Sequence, residues 1–158
     1  MLTCFDVADY FVHLANETGS FLSNLKLQKL VYYAQAWHLA LKGTPLFDED
    51  FQAWIHGPVV PTLYQKYKPF SWTPIIEDAQ PNLPADTQEF LGEVAAEYFA
   101  RDAYELEQMT HIEALWVRAR GGIADDMPST AVIPKEWIKE YFSSRVETQD
   151  QKHLSSAA

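Results

Sequence analysis

The sequence predicts a mainly α-helical protein, folded as a compact single-domain helical bundle, and three observations favour this class. Apolar residues recur at helical spacing in several separate stretches of the chain. A proline- and aromatic-rich excursion, residues 44–85, interrupts them and leaves room for a short extended segment. The 158 residues are 47% apolar, which is enough to bury a core. We therefore expect one domain over residues 1–145 and a flexible tail at residues 146–158.

Two helices are expected in the first third of the chain. Thr3 is typical of an N-cap, and apolar residues then share one face up to Asn16. The second helix is apolar on most sides and ends at Gly43, so it should be central in the bundle. His38 lies on its apolar face, and we interpret it as a hydrogen-bonded core histidine. The apolar positions of this helix are Leu27, Leu30, Val31, Tyr32, Tyr33, Ala34, Trp37, Leu39 and Leu41.

Residues 44–85 cannot form a long helix, because seven of the chain's nine prolines fall there. Phe51–Ile55 can be a short extended piece, Gly57-Pro58 should turn the chain, and Pro61 fits the first turn of a short helix. Seven aromatic residues lie within residues 45–75. Their simplest role is to cover one flank of the helical core.

Helical spacing resumes over residues 87–99, where three glutamates on the face opposite the apolar one should be solvated. Thr110-His111-Ile112-Glu113 has the form of a capping box, in which Thr110 and Glu113 cap each other's backbone N–H groups. It predicts a short helix toward Arg120. A last helix is expected from Pro134 to about Arg145.

The charge is concentrated in the second half of the chain. Residues 1–75 carry 6 acidic and 5 basic side chains, whereas residues 76–158 carry 16 and 7. A net charge of −10 argues against nucleic acid as a primary ligand, because phosphate binding relies on Lys and Arg. With no apolar run long enough for a membrane span and no secretion signal, we expect a cytoplasmic protein that does not bind membranes.

The sequence offers little for catalysis or metal binding. The five histidines have no close metal-ligand spacing, and no glycine-rich phosphate loop is present. Cys4 could pair with His13 or His111, but no nucleophile motif surrounds it. We therefore expect no catalytic residue, no metal and no cofactor. The alternative is an unrecognised hydrolase that uses Cys4, or His111 with Glu113.

The excursion is the best candidate for a partner-binding surface. Large rings bury much area with few rotamers to freeze, and a proline-stiffened loop loses little entropy when it binds. We expect the surface to lie around the Gly57-Pro58 turn. Its residues would be Trp54, His56, Gly57, Pro58, Val59, Val60 and Tyr64.

An ordered set of motifs resembles the Panacea domain, also called the SocA-like or GepA-like antitoxin-associated domain. Together the motifs extend from about Phe5 to Phe142. The first half carries Leu27-Gln28-Lys29-Leu30-Val31-Tyr32-Tyr33-Ala34, Trp37, Pro45-Leu46-Phe47, Ala53-Trp54, Gly57-Pro58-Val59 and Tyr64. The second half carries Met109-Thr110-His111-Ile112-Glu113, Trp116, Arg118-Ala119-Arg120 and Ile138 to Phe142.

The resemblance implies a mostly helical antitoxin, of bacterial or phage origin, that neutralises a cognate toxin by direct binding. One branch of the family acts as a proteolytic adaptor that delivers its toxin to an AAA+ protease. This chain departs from the family at His56, where Tyr is frequent, and at Leu115, where Pro is frequent. We expect no counterpart of the DNA-binding domain that some relatives carry, because the motifs take up most of these 158 residues.

Two alternatives to a toxin-neutralising module stay open. One is a phage- or prophage-encoded adaptor that binds host proteins, and the other is the hydrolase described above. The terminal Ala157-Ala158 is similar to bacterial degradation tags, although an inert end is the simpler interpretation.

Overall fold

A computed structural model describes the backbone of residues 2–157 and the side chains of residues 2–146. Within these residues, seven α-helices pack with one three-stranded sheet, which confirms the predicted mainly α class. The elements in chain order are α1 (Cys4–Thr18), α2 (Asn24–Lys42), β1 (Phe51–Trp54), β2 (Gly57–Val59), α3 (Pro61–Tyr67), a single 3₁₀ turn (Lys68–Phe70), α4 (Ala85–Tyr98), α5 (Ala103–His111), α6 (Ala114–Arg120), β3 (Val132–Ile133) and α7 (Lys135–Ala157).

The first two helices begin at side-chain caps and end at glycine. At α1, the Asp6 N–H donates to Thr3 Oγ1 at 3.3 Å, and the Thr3 N–H donates to Asp6 Oδ2 at 2.8 Å. Ser23 Oγ accepts a first-turn backbone N–H of α2 at 3.2 Å. Gly19 and Gly43 end the helices in the left-handed conformation, with φ of 65° and 78°.

Helix α2 is the centre of the bundle, and most of its residues are buried. Helices α1, α3, α4, α5 and α7 all contact it. The Phe142 ring of α7 lies edge-on to the rings of Tyr32 and Tyr33, with centroid separations of 6.1 Å. Trp37 contacts the same ring at 5.1 Å. The prediction of a central helix that is buried on most sides is therefore confirmed.

The excursion folds into a β-hairpin followed by a short helix. In the antiparallel pair β1–β2, Trp54 faces Gly57, and the chain reverses at Ile55–His56. Strand β3 pairs with the other edge of β1, where Phe51 faces Ile133, so the strand order is β2-β1-β3. The predicted extended piece and the helix after it are confirmed. The turn predicted at Gly57-Pro58 is wrong, because the chain reverses two residues earlier and Gly57-Pro58 pairs with β1 as the start of β2. Strand β3 has only two residues and was not predicted.

Helix α4 has the two faces that its sequence predicts. Phe90, Leu91 and Tyr98 are buried on one side. The three glutamates at positions 89, 93 and 97 are exposed on the other side.

The predicted capping box is wrong. Thr110 lies at the end of α5, where its hydroxyl donates to the Glu107 carbonyl at 2.8 Å. Glu113 precedes α6, but its carboxylate points into the core and caps no backbone N–H. Helix α5 itself was not predicted, although Asp102 caps it by accepting from the Glu105 N–H at 2.8 Å. The four-residue motif was assigned to a capping box because the buried partners of Glu113, Tyr32 and Tyr33, are about 80 residues away in the sequence.

His38 lies at the edge of the core and not within it. Its Nδ1 is 2.6 Å from the Thr44 carbonyl oxygen, and its ring is edge-on to Phe90 at 5.5 Å. The side chain is half-buried, and Leu41 after it is 52% exposed. The hydrogen bond of His38 was predicted correctly. Its burial in the core was not, because the last turn of α2 lies at the surface.

Helix α7 continues to Ala157, past the predicted end near Arg145. Residues 146–157 contain no proline or glycine, so nothing in their backbone chemistry stops the helix. The flexibility expected for residues 146–158 stays a prediction, and Ala158 with its suggested degradation tag lies outside the described residues. Among the helices described, none has the length and apolar content needed to cross a bilayer.

Candidate partner-binding site

The β1–β2 hairpin and the start of the segment that follows it, Val60 and α3, are held by side chains that hydrogen-bond to their backbone. They come from α2 on one side and from α6 on the other. Because backbone groups are the targets, the contacts fix the path of the hairpin independently of its side chains. We call these residues the hairpin clamp, which consists of Asn24, Gln28, Lys29, Trp116 and Arg120.

The α2 part of the clamp begins with a chain of amides. Asn24 Nδ2 donates to the Tyr64 carbonyl at 3.0 Å, and Gln28 Nε2 donates to Asn24 Oδ1 at 3.1 Å. Gln28 Oε1 then accepts the Val60 N–H at 3.1 Å. Gln28 is fully buried, so each of its polar atoms must find a partner inside the protein. Position 28 thereby links α2 to the end of the hairpin.

Lys29 is the most unusual member of the clamp, because its ammonium group is buried. The side chain is 1% exposed, and its Nζ donates to the Pro58 carbonyl at 3.1 Å. Burial lowers the pKa of Lys29 to about 7, and the Glu107 carboxylate opposes this shift only in part. The amine is therefore easily neutralised.

Gly57 is required where Lys29 crosses under the hairpin. Its φ of 102° lies in a region that L side chains rarely adopt. A Cβ at this position would lie 2.6 Å from both Lys29 Cε and Thr110 Oγ1. The Gly57 backbone therefore packs directly on α2 and α5, and no side chain fits between them.

The α6 part of the clamp holds strand β1. Trp116 Nε1 donates to the Trp54 carbonyl at 2.7 Å, and Arg120 Nη1 donates to the Ala53 carbonyl at 2.9 Å. Both side chains are at most 2% exposed, and the Arg120 guanidinium lies 4.6 Å from the centre of the Trp116 ring. The His111 ring stacks on the Trp116 ring, with the two centroids 4.0 Å apart.

A second buried polar cluster lies next to the clamp and is centred on Glu113. The Tyr33 hydroxyl donates to Glu113 Oε2 at 2.8 Å, and the Tyr32 hydroxyl donates to Oε1 at 3.2 Å. Arg145 of α7 approaches Oε2 at 3.6 Å. Burial raises the pKa of Glu113 to about 7, although the two hydroxyls and Arg145 favour the charged form. The cluster ties α2, α6 and α7 together.

Trp37 completes the set of motif residues on α2. Its Nε1 donates to the Tyr98 hydroxyl at 2.7 Å, so it links α2 to α4. The side chain is 8% exposed. It therefore belongs to the core.

The structure divides the predicted partner-binding residues into two groups. Gly57, Pro58, Val59 and Val60 are buried between β1 and α2, and they shape the hairpin from inside. Trp54 and Tyr64 are half-buried, with ring centroids 5.1 Å apart, and His56 is exposed. Of the seven, only these three present side-chain surface to a partner, and we call them the hairpin surface.

His56 contacts a carboxylate, which the sequence did not suggest. Its Nδ1 contacts Glu107 Oε1, and the side chains are 60% and 18% exposed, respectively. Glu107 lies on α5, which was not predicted, so the pair could not be foreseen. Trp54 Nε1 donates to Gln52 Oε1 at 2.9 Å.

The residues considered for catalysis are not arranged as nucleophile and base. Cys4 is fully buried, and burial, with the nearby Glu49 carboxylate, raises the pKa of its thiol far above the usual range. His13 Nδ1 contacts the Ala79 carbonyl at 3.1 Å. His111 stacks on a tryptophan, whereas Glu113 points to two tyrosines, so these two do not act together.

Sequence reasoning missed four residues of these networks. Asn24, Glu107, Arg120 and Arg145 were not selected, although the family motif includes position 120. A signal for Asn24 exists in its position at the first residue of α2 after the Ser23 cap, where a polar side chain can turn toward a neighbouring element, here α3. Arg145 carries no local signal, because its partner is distant in sequence.

Comparisons with known proteins support the resemblance found in the sequence. A family model described as Antitoxin SocA-like, Panacea domain, matches residues 27–117, more than half of the chain. Antitoxin SocA of Caulobacter vibrioides (strain NA1000 / CB15N) is 50% identical over 44 residues, which cover 28% of this chain and 23% of that protein. No solved structure matches. The matched residues include the whole hairpin and the clamp residues of α2 other than Asn24. The chain therefore belongs to the Antitoxin SocA-like, Panacea domain family.

Proposed function

We propose that this protein is an antitoxin that neutralises a cognate toxin by direct binding, through the hairpin surface of Trp54, His56 and Tyr64. The observation that carries the proposal is the clamp, which fixes the backbone beneath these side chains from two helices. A surface held in one conformation loses little entropy on binding. Family membership supports the antitoxin role.

The chemistry of the hairpin surface suits a protein partner. Trp and Tyr dominate interface hot spots because they bury a large area with few rotamers. Trp54 and Tyr64 already contact each other, so their rings are ordered before binding. The net charge of −10 favours association with a basic protein by long-range steering. No nucleic acid or membrane partner is part of the proposal.

An antitoxin must hold its toxin for longer than the toxin needs to find its target. A nanomolar dissociation constant corresponds to about −12 kcal/mol. Interfaces of this strength bury about 1,600 Å² in total. The three side chains would be the centre of such an interface, with neighbouring surface excluding water around them.

Neutralisation has two possible outcomes in the cytoplasm, and both begin with the same complex. The antitoxin can block the toxin sterically, or it can act as an adaptor that brings the toxin to an AAA+ protease. An adaptor that binds host proteins instead of a toxin is the competing function. Turnover by Cys4 is disfavoured, because its thiol is buried and protonated.

Co-expression with the product of the adjacent open reading frame tests the proposal. We expect the neighbour to be lethal alone and harmless with the wild-type chain, and Trp54→Ala to restore lethality at equal antitoxin abundance. Ile76→Ala is the matched control, because Ile76 is 76% exposed and lies outside the hairpin. If the toxin protein disappears in cells that have the protease and persists in cells that lack it, the adaptor outcome is indicated. A neighbour that is harmless alone would contradict the antitoxin function.

A further inference from the structure

An open groove lies beside the hairpin surface, between the start of α2, the end of α3 and the start of α5. Its volume is about 350 Å³, and its walls include Phe21, Leu25, Tyr64, Lys68, Ser71 and Trp72. This volume is within the range of about 300–1,000 Å³ that is typical of ligand sites. The walls are mainly apolar.

Two large rings at this groove are exposed to solvent. Trp72 is 82% exposed and Phe21 is 59% exposed. Exposed apolar side chains that lie together, unlike single scattered ones, are typical of interaction sites. The rings have not collapsed onto the neighbouring core.

The backbone holds Trp72 in this exposed position. Ser71 has φ of 54° and ψ of −130°, the one positive φ outside glycine within the described residues. Hydrogen bonds on both sides support this conformation, from the Ser71 N–H to the Lys68 carbonyl and from the Thr73 N–H to the Phe70 carbonyl, both at 2.9 Å. Strained backbone that its surroundings maintain is typical of binding sites.

The charge of the groove is opposite to that of the protein as a whole. Lys68 is the charged side chain among its lining residues in the described part of the chain. The first turn of α2, which also borders the groove, contains no acidic residue to offset the positive end of the helix dipole. In a chain of net charge −10, Lys68 and this end of α2 together favour a negatively charged group in the groove.

The groove is continuous with the hairpin surface through Tyr64. The Tyr64 ring lies 5.1 Å from the Trp54 ring and also lines the groove. Asn24 of the clamp donates to the Tyr64 carbonyl at 3.0 Å and so fixes this shared position. One partner can therefore occupy both surfaces.

We propose that the groove binds a segment of the toxin in which an aromatic or large aliphatic side chain is next to an aspartate or glutamate. The apolar side chain packs between Phe21 and Trp72, and the carboxylate pairs with Lys68. This inference rests on the proposed antitoxin function and adds the chemistry of the segment that is recognised.

Selection from a random dodecapeptide display library tests the chemistry of the groove without the toxin. We expect wild-type protein to enrich peptides with an aromatic or aliphatic residue beside an acidic one. By fluorescence polarisation, their affinity should fall at least tenfold with Trp72→Ala and with Lys68→Glu. The controls Ile76→Ala and Lys42→Glu change exposed residues outside the groove and should bind as wild type does. No enrichment, or enriched peptides that bind Trp72→Ala normally, would overturn the proposal.

Binding of the adjacent gene's product to the same variants separates the two proposals. We expect Trp72→Ala and Lys68→Glu to weaken that complex at least tenfold. If only Trp54→Ala weakens it, the assignment of the groove is wrong and the antitoxin function stands. If wild-type protein does not bind the product at all, the proposed function fails, and the assignment of the groove's occupant fails with it.

Discussion

Substituting Gly57 by alanine tests whether the hairpin is held as tightly as the contacts indicate. The new methyl group would lie 2.6 Å from Lys29 Cε and from Thr110 Oγ1, so the hairpin must move away from α2 and α5. That movement stretches the hydrogen bond from Lys29 Nζ to the Pro58 carbonyl, which is 3.1 Å long in the native structure. The lysine would then be left buried with no partner at that carbonyl.

The expected loss of stability has two parts. Placing alanine at a positive φ costs about 1–2 kcal/mol. Loss of a buried hydrogen bond adds about 1–3 kcal/mol. The matched control is Gly121→Ala, because Gly121 also has a positive φ, 62°, but has no atom within 4 Å of the added Cβ. In a chain of this size, 1 kcal/mol shifts the melting temperature by about 2–4 °C, so Gly57→Ala should melt about 2–12 °C below the control.

Urea unfolding followed by circular dichroism measures both variants. A double-mutant cycle with Lys29→Ala should show coupling of about 0.5–3 kcal/mol, because the truncated side chain no longer meets the added methyl group. Equal free energies of unfolding for Gly57→Ala and Gly121→Ala would refute the close packing of the hairpin on Lys29 and Thr110.

Three further predictions concern buried groups that titrate. The pKa of Glu113 is raised from 4.5 to about 7, so the folded protein should lose stability as the pH rises through that interval. The loss is at most about 1.4 kcal/mol per pH unit, and urea unfolding at a series of pH values measures it. Glu113→Gln should remove this dependence on pH. Because the pKa of Lys29 is lowered from 10.5 to about 7, stability should rise from pH 7 upward, and Lys29→Met should remove that rise. Cys4 should react with a thiol reagent only at the rate of unfolding, since it is fully buried; rapid reaction in native buffer would contradict its placement.

The fold was predictable where its signal is local. Helices α1, α2 and α4 show one-sided or continuous apolar periodicity, and the prolines of the excursion rule out a long helix there. Gly19 and Gly43 end helices as glycine usually does. Helix α5 was missed because it buries only Leu106 and Thr110 and so shows little apolar periodicity. Asp102 followed by Glu105 is nevertheless a typical signature of a helix N-terminus.

The clamp was not predictable, because its hydrogen bonds join positions far apart in sequence. Gln28 and Val60 are separated by 32 residues, and Trp116 and Trp54 by 62. The same holds for the Glu113 cluster, where Tyr32 and Glu113 are 81 residues apart. Sequence patterns place lysine and glutamate at the surface or at helix ends, where solvation is free of cost. Lys29 and Glu113 are buried instead, since a backbone carbonyl and two tyrosine hydroxyls take the place of water.

The sequence predicted seven partner-binding residues around Gly57-Pro58, and the structure shows that four of them are buried. That this segment binds a partner stays a prediction. Gly57-Pro58 was predicted to be a turn, so the residues near it were all expected at the surface, whereas the chain reverses at Ile55–His56. In the folded chain, Val59 and Val60 point into the core, at 0% and 2% exposure. Sequence alone cannot distinguish the two sides of a hairpin that is buried on one of them.

Isothermal titration of the purified chain with the product of the adjacent gene tests the central claim most directly. We predict a one-to-one complex of nanomolar affinity that Trp54→Ala weakens at least a hundredfold, about 2.7 kcal/mol, while its melting temperature stays within a few degrees of the wild type. A complex of unchanged affinity in Trp54→Ala, or no heat of binding with the wild-type chain, would contradict it.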